Sequence, residues 1–169
     1  TWKVPYVPGE LKAVARKDGK TVAIDVLRTA GAPHAVRLSA DRKSAAADGR
    51  SLVFVTADVV DARGVVCPDA DNLITFDVAG GSLAGLDNGR EESAERYQAT
   101  TRTAFHGKAL AIVRSGTKPG ALKVTARAQG LRAGTATVRT THAPSAATTA
   151  AAAFEPEHPA VPNYPYADA

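Results

Sequence analysis

The sequence has few of the residues from which disulfides, metal centres and thiol enzymes are built. It contains one cysteine, Cys67, and no methionine, so no intrachain disulfide can form. No base motif surrounds Cys67, which predicts a buried and inert thiol rather than a nucleophile. The four histidines have no second histidine or cysteine at ligand spacing. We therefore predict neither a metal centre nor a cofactor.

Aromatic residues, long apolar runs and blocks of like charge are also scarce. Aromatics make up 5% of the chain, and no apolar run approaches the roughly 18 residues of a membrane-spanning helix. The formal net charge is +4, but basic residues are interspersed with acidic ones, so we expect no nucleic-acid partner and no membrane partner. No signal peptide opens the chain. A mature secreted protein would also lack one, and an extracellular location is our expectation.

What the sequence does contain is a series of short strand patterns separated by turns. Turns at intervals of roughly 8–12 residues predict an all-β protein with an immunoglobulin-like β-sandwich. Strands are predicted over residues 10–16, 21–28, 35–39, 51–60, 65–67, 73–78, 82–86, 109–114, 122–128 and 135–140. Asp18 and Gly19 predict a two-residue hairpin turn between the first two strands. Because two strands alone are not stable in water, this hairpin needs further strands that the chain does not supply.

An irregular loop follows the predicted strand at residues 82–86. Asp-Asn-Gly at residues 87–89 is a strong turn signal, because Asn and Gly tolerate positive φ and Asp bonds its own backbone. The polar residues after it predict an exposed crossover. Functional contacts concentrate on loops, so Asp87, Asn88, Glu95, Arg96 and Tyr97 are the candidate interface residues.

Other residues offer alternative binding sites. Asp69, Asp71 and Asn72 could supply oxygen ligands to a calcium ion, although a solvated turn explains them more simply. Trp2 and Tyr6 could stack on a sugar, although an aromatic beside proline near a strand more often packs against its own protein.

Catalytic chemistry finds little support. Glu91, Glu92 and Glu95 could act as paired carboxylates for glycoside hydrolysis only if they were held across a cleft, and they stand together on one loop. The sequence has no Gly-x-Ser-x-Gly elbow, no phosphate-binding glycine loop and no EF-hand loop. We predict no catalytic residue.

Two blocks of sequence, in order and at the right spacing, carry a family resemblance. The first comprises residues 2–15, beginning Trp-Lys-Val-Pro-Tyr-Val-Pro-Gly, with 18–20 and 28–33. The second comprises residues 36–38, 47–49, 54–61, 68–76, 87–89, 104–110 and 124–126. They resemble the last strands of one immunoglobulin-like domain and the C-terminal immunoglobulin-like domain of bacterial β-galactosidases of glycoside hydrolase family 2. Residues 165–169 are similar to the lead-in to a carbohydrate-binding module of actinobacterial members.

The resemblance implies three segments. Residues 1–32 would be the last strands of an upstream immunoglobulin-like domain, and residues 33–141 a C-terminal immunoglobulin-like sandwich. Residues 142–169 would be a Pro/Ala-rich linker or tail, disordered or extended because it cannot bury enough apolar surface. The chain would then be a piece of a longer polypeptide.

The resemblance also implies a function. The parent enzyme would hydrolyse terminal β-galactosides, and this chain would be its non-catalytic accessory segment. Its partners would be the rest of the parent, including the catalytic barrel and upstream strands, with carbohydrate bound through the parent. The alternative is a stand-alone immunoglobulin-like module that binds glycans or cell surfaces, which should fold alone and display an aromatic platform. An enzyme in its own right is the third possibility.

Overall fold

The computed structural model describes residues 5–142, and their regular structure consists of β-strands. No helix within these residues is long and apolar enough to cross a membrane. The strands are β1 (Glu10–Lys17), β2 (Lys20–Arg28), β3 (Ala35–Ala40), β4 (Ser44–Ala46), β5 (Leu52–Val60), β6 (Leu73–Ala79), β7 (Gly81–Asp87), β8 (Thr101–Thr103), β9 (Lys108–Ser115), β10 (Gly120–Ala128) and β11 (Gly134–Thr141). Trp2 and the predicted tail from residue 143 onward lie outside the described residues.

Strands β3 to β11 form a sandwich of two packed sheets. One sheet has five strands in the order β4-β11-β10-β6-β8, and the other has four in the order β3-β5-β9-β7. Neighbouring strands run antiparallel, except that β4 runs parallel to β11. This arrangement confirms the predicted all-β, immunoglobulin-like sandwich.

The core lies between the sheets and is built from alternate residues of each strand. In β5, Val53, Val55, Ala57 and Val59 are fully buried, because successive side chains of a strand point to opposite faces. The other strands supply Ile74, Phe76, Leu86, Ala109, Ala111, Val113, Leu122, Val124, Ala126 and Val138. The core is therefore thin and rich in valine and alanine.

A single glycine carries the chain from one sheet to the other. Gly80 joins β6 of the five-stranded sheet to β7 of the four-stranded sheet and has φ +78°. A Cβ there would lie 2.2 Å from the carbonyl oxygen of Ala121, so only glycine fits this turn.

Strands β1 and β2 form a separate two-stranded hairpin. Asp18 (φ 49°) and Gly19 (φ 74°) make the predicted two-residue turn, and their positive φ angles match the twist of the strands. Within residues 5–142 the hairpin pairs with no third strand, and all but one of its residues are exposed.

The structure corrects three local predictions. Residues 65–67 do not form a strand: Val66 makes a single bridge to Val60, and the Val65 amide donates to the Asp61 side chain instead of to a strand. Strands β4 and β8 were not predicted, since three residues are too few to show a period of two. They form because β11 and β6 offer them backbone partners.

Candidate functional site

The crossover loop, residues 88–100, begins with the predicted Asp-Asn-Gly turn. The carboxylate of Asp87 accepts hydrogen bonds from the amides of Asn88 (2.7 Å) and Gly89 (3.1 Å), and Gly89 has φ +73°. The side-chain amide of Asn88 donates to the carbonyl oxygen of Thr103 (2.9 Å). The turn is thereby tied to β8.

Arg102 of β8 holds the middle of the crossover loop. Its side chain is 1% exposed, and its guanidinium donates to the carbonyl oxygens of Leu86 (2.8 Å), Arg96 (3.0 Å) and Glu95 (3.4 Å). The guanidinium carbon also lies 5.4 Å from the centre of the Tyr97 ring, within range of a cation–π contact. One polar atom, Nε, has no partner among the described residues.

Glu95 is part of the same network. Its carboxylate accepts hydrogen bonds from the amide (2.9 Å) and hydroxyl (3.0 Å) of Thr103 and lies 3.6 Å from Arg102. Burial raises the pKa of Glu95, but the Thr103 hydrogen bonds and the Arg102 charge outweigh it and leave the pKa below its ordinary value. Glu95 is thus a structural carboxylate, whereas the neighbouring Glu91 and Glu92 are exposed.

A second group of hydrogen-bonded residues connects the hairpin to the sandwich. It consists of Asp61 and Arg63 of the sandwich with Thr29 and Gly31 at the base of the hairpin, and we call it the joint. Asp61 follows β5, and its side chain is 3% exposed. Its carboxylate accepts hydrogen bonds from the amides of Gly31, Arg63 and Val65, each at 2.9 Å. These bonds, with that of Gly31 the most important, lower the pKa of Asp61 to about 2.

The joint reaches the base of the hairpin through Arg63 and Thr29. Arg63 lies 3.2 Å from the Asp61 carboxylate and donates to the carbonyl oxygen of Thr29 (2.8 Å). The amide of Thr29 donates to the carbonyl oxygen of Gly9 (2.8 Å), and the amide of Gly9 donates back to the Thr29 hydroxyl (3.0 Å). The last residues of the hairpin are therefore fastened to the sandwich.

Cys67 packs against the joint. The thiol is buried and lies 3.4 Å from the carbonyl oxygen of Gly31. Burial, together with the nearby Asp61 charge, raises the pKa of Cys67, so the thiolate is disfavoured. This confirms the predicted buried thiol.

The hairpin exposes large apolar side chains on both of its faces. Leu11 and Leu27 are 54% and 66% exposed, while Val14, Val22 and Ile24 on the other face are 41%, 62% and 54% exposed. Exposed apolar patches of this kind mark interaction sites. We therefore expect another protein surface to cover these side chains.

Comparison with known proteins decides the family. Residues 36–137, more than half of the chain, match the model of glycoside hydrolase family 2 C-terminal domain 5. The chain belongs to this family. Residues 1–23 match a different model, a domain of unknown function named DUF4982. The boundary between the two matches falls near the joint.

Relatives of this family 2 C-terminal domain share both sequence and fold. The chain is 48% identical over 132 residues to the β-galactosidase BoGH2A of Bacteroides ovatus, covering 78% of this chain and 16% of that protein. A family 2 glycosyl hydrolase from Bacteroides cellulosilyticus superposes with TM-score 0.76 at 35% identity, covering 83% of this chain and 18% of that one. A β-glycosidase from Bacteroides vulgatus gives TM-score 0.76 at 32% identity, covering 82% and 18%. The chain thus spans less than a fifth of each relative.

In this family 2 domain, the five candidate interface residues divide into two groups. The side chains of Asp87, Asn88 and Glu95 are used within the loop, as described above. Arg96 and Tyr97 are exposed, Tyr97 to 66%. Of the five, these two have side chains exposed enough to meet a partner, although the Tyr97 ring also contacts Arg102.

The sequence did not predict the two buried charged residues that hold the crossover loop and the joint together. Arg102 stands between two threonines, and Asp61 stands in an apparent turn. Lone charged residues in such positions are usually solvated, so neither gave a signal of burial. The described residues contain no group of three His, Cys, Asp or Glu side chains placed to hold a metal ion.

Proposed function

We propose that this chain is a non-catalytic accessory segment of a β-galactosidase-like family 2 glycoside hydrolase, with a structural role. Hydrolysis of terminal β-galactosides, and the binding of that carbohydrate substrate, belong in this proposal to the rest of the parent protein. The 48% identity to a β-galactosidase supports the choice of parent activity. An extracellular location stays a prediction, which fractionation of the producing cells would check.

The proposal rests on the β1–β2 hairpin, which has no third strand among the described residues. Two strands do not form an independently stable sheet, yet β1 and β2 pair only with each other among the described residues and expose apolar side chains on both faces. The hairpin therefore supplies two strands to an immunoglobulin-like domain whose other strands lie elsewhere in the parent. The separate family match of residues 1–23 supports this assignment.

The joint then determines how the sandwich is held. Because Asp61 and Arg63 bind the backbone of residues 29 and 31 directly, the sandwich is attached through a fixed connection rather than a free linker. In this proposal the exposed Arg96 and Tyr97 make a second contact with the parent. Polar, exposed side chains such as these are typical of the rim of an interface.

Mixing the chain with a form of the parent hydrolase that lacks it tests the proposal. The parent hydrolase lacking these 169 residues is purified and combined with the chain, and mass is measured by size-exclusion chromatography with light scattering. We expect a complex, a higher thermal stability of the parent, and hydrolysis of o-nitrophenyl β-galactopyranoside by the parent but not by the chain alone.

A matched pair of variants locates the contact. Ile24→Lys places a charge on the apolar hairpin and should weaken the complex at least about tenfold. Thr135→Lys, on an exposed position of β11, should leave it unchanged. If the unmodified chain migrates alone at its own mass, the docking role is wrong and the stand-alone glycan-binding module becomes the function to test.

A further inference from the structure

Beside the crossover loop lies an open cleft of about 770 Å³. We name it the loop cleft. Its walls come from three connections of the sandwich: residues 68–71 before β6, residues 88–95 of the crossover loop, and residues 103–106 before β9. It shares Pro68, Asp69, Ala70 and His106 with the pocket between the hairpin and the sandwich.

One wall of the loop cleft ends in a strained turn. Phe105 and Lys108 exchange backbone hydrogen bonds of 2.8 Å and 3.0 Å, so His106 and Gly107 form a two-residue turn with φ angles of 50° and 71°. This turn type favours Asn, Asp or Gly at its first position. The hairpin turn at Asp18 obeys the preference, whereas histidine at 106 bears the steric cost of a left-handed Cβ.

The turn cannot relax by moving away. A Cβ at Gly107 would lie 2.2 Å from the carbonyl oxygen of Cys67, and the amide of Gly107 donates to the carbonyl oxygen of Ala70 (3.0 Å). The backbone is therefore pressed against residues 66–70, and His106 is held outward. Strain of this kind at a non-glycine residue is a pointer to function.

The cleft is lined by planar groups and by acidic groups. The exposed His106 ring lies 4.1 Å from the half-buried Phe105 ring, and the Arg90 guanidinium lies 5.9 Å from the centre of the Phe105 ring. Asp69 and Asp71 are exposed. No side-chain hydrogen bond within residues 5–142 uses either carboxylate.

The charges of the cleft disfavour an anionic ligand. Glu95 is engaged by Thr103 and Arg102, and Glu92 lies 3.6 Å from Arg90. The remaining Asp69 and Asp71 would repel a phosphate or a carboxylate. A lysine-rich peptide could pair with these two carboxylates, so it is the competing ligand in the test below.

We propose that the loop cleft is a non-catalytic binding site for a neutral saccharide. Sugar hydroxyls can donate to Asp69 and Asp71 and accept from Arg90 and His106. An apolar sugar face can pack on the Phe105 and His106 rings, as apolar surfaces do on aromatic side chains. This inference does not depend on the docking role, because it requires only the sandwich.

Titration of the ¹⁵N-labelled 169-residue chain with lactose and with β-1,4-galactobiose tests the site. We expect saturable amide shifts at residues 69–71, 90–92 and 105–107. The absence of saturable shifts there, or shifts confined to other surfaces, would overturn the proposal. Shifts at these residues produced by a lysine-rich peptide but not by either sugar would overturn it in favour of peptide docking.

Two variants and one control decide which groups bind. His106→Asn preserves the turn, because Asn favours this conformation, and should weaken sugar binding at least about tenfold. Asp71→Asn should weaken it similarly. His142→Asn, an exposed histidine after β11, should bind like the unmodified chain. Unchanged binding by His106→Asn would overturn the proposal even if the amide shifts were present.

Discussion

At the residue scale, a single buried arginine holds the crossover loop against the sandwich. Arg102→Met keeps much of the side-chain volume but leaves the carbonyl oxygens of Leu86 and Arg96 without their donor. Each unpaired buried group costs about 1–3 kcal/mol, so we expect the free energy of unfolding to fall by roughly 2–4 kcal/mol. Urea denaturation followed by circular dichroism measures this change.

The exposed neighbour on the same loop is the control for Arg102. The Arg96 side chain is exposed, so Arg96→Met should change the free energy of unfolding by less than about 0.5 kcal/mol. Equal effects of the two substitutions would show that Arg102 does not anchor the loop.

His106 gives a prediction of the opposite sign. Replacing it by Asn relieves the left-handed strain at φ 50°, and we expect the free energy of unfolding to rise by roughly 1 kcal/mol. Thermal or urea unfolding measures the change, with His142→Asn as the neutral control. A variant that is less stable than the unmodified chain would contradict the strain assigned to His106.

At the scale of elements, the joint makes the attachment of the hairpin sensitive to acid. The folded pKa of Asp61, about 2, lies below its ordinary value of 3.8. Its stabilising contribution is therefore complete above pH about 4 and is lost as the pH falls toward 2. Asp61→Asn should be less stable than the unmodified chain at neutral pH, and this difference should shrink through that range.

Urea unfolding of both proteins from about pH 6 down to about pH 2 measures the difference. Hydrogen exchange of the Gly31 amide, which donates to Asp61 at 2.9 Å, should accelerate in the variant. Asp25→Asn is the control, because Asp25 lies on the exposed hairpin and, within residues 5–142, its side chain bonds only the adjacent Val26 amide. A stability difference that stays constant with pH would rule out the carboxylate as the source.

At the scale of the whole molecule, the crossover loop should contribute to docking through Tyr97. Because Tyr97 is 66% exposed, Tyr97→Ala should cost the sandwich only the cation–π contact with Arg102 while weakening the complex with the parent hydrolase about tenfold. Isothermal titration calorimetry measures the affinity. Gln98→Ala, at the exposed next position, is the matched control, and identical affinities for the two variants would exclude Tyr97 from the interface.

The sequence alone determined the features that depend on local chemistry. Short β-rich segments between turn signals located the long strands, and Asp-Gly and Asp-Asn-Gly located turns, because backbone preferences act over a few residues. The sequence also predicted that the hairpin needs further strands, since two strands are not stable by themselves.

Which polar residues are buried depends on contacts between distant parts of the chain. Asp61 receives the amide of Gly31 from a segment thirty positions earlier, and Arg102 binds the carbonyl oxygen of Leu86 sixteen positions before it. The parallel pairing of β4 with β11 joins still more distant segments. Burial and pairing of this kind depend on what packs nearby in space, and no local pattern of residues encodes that.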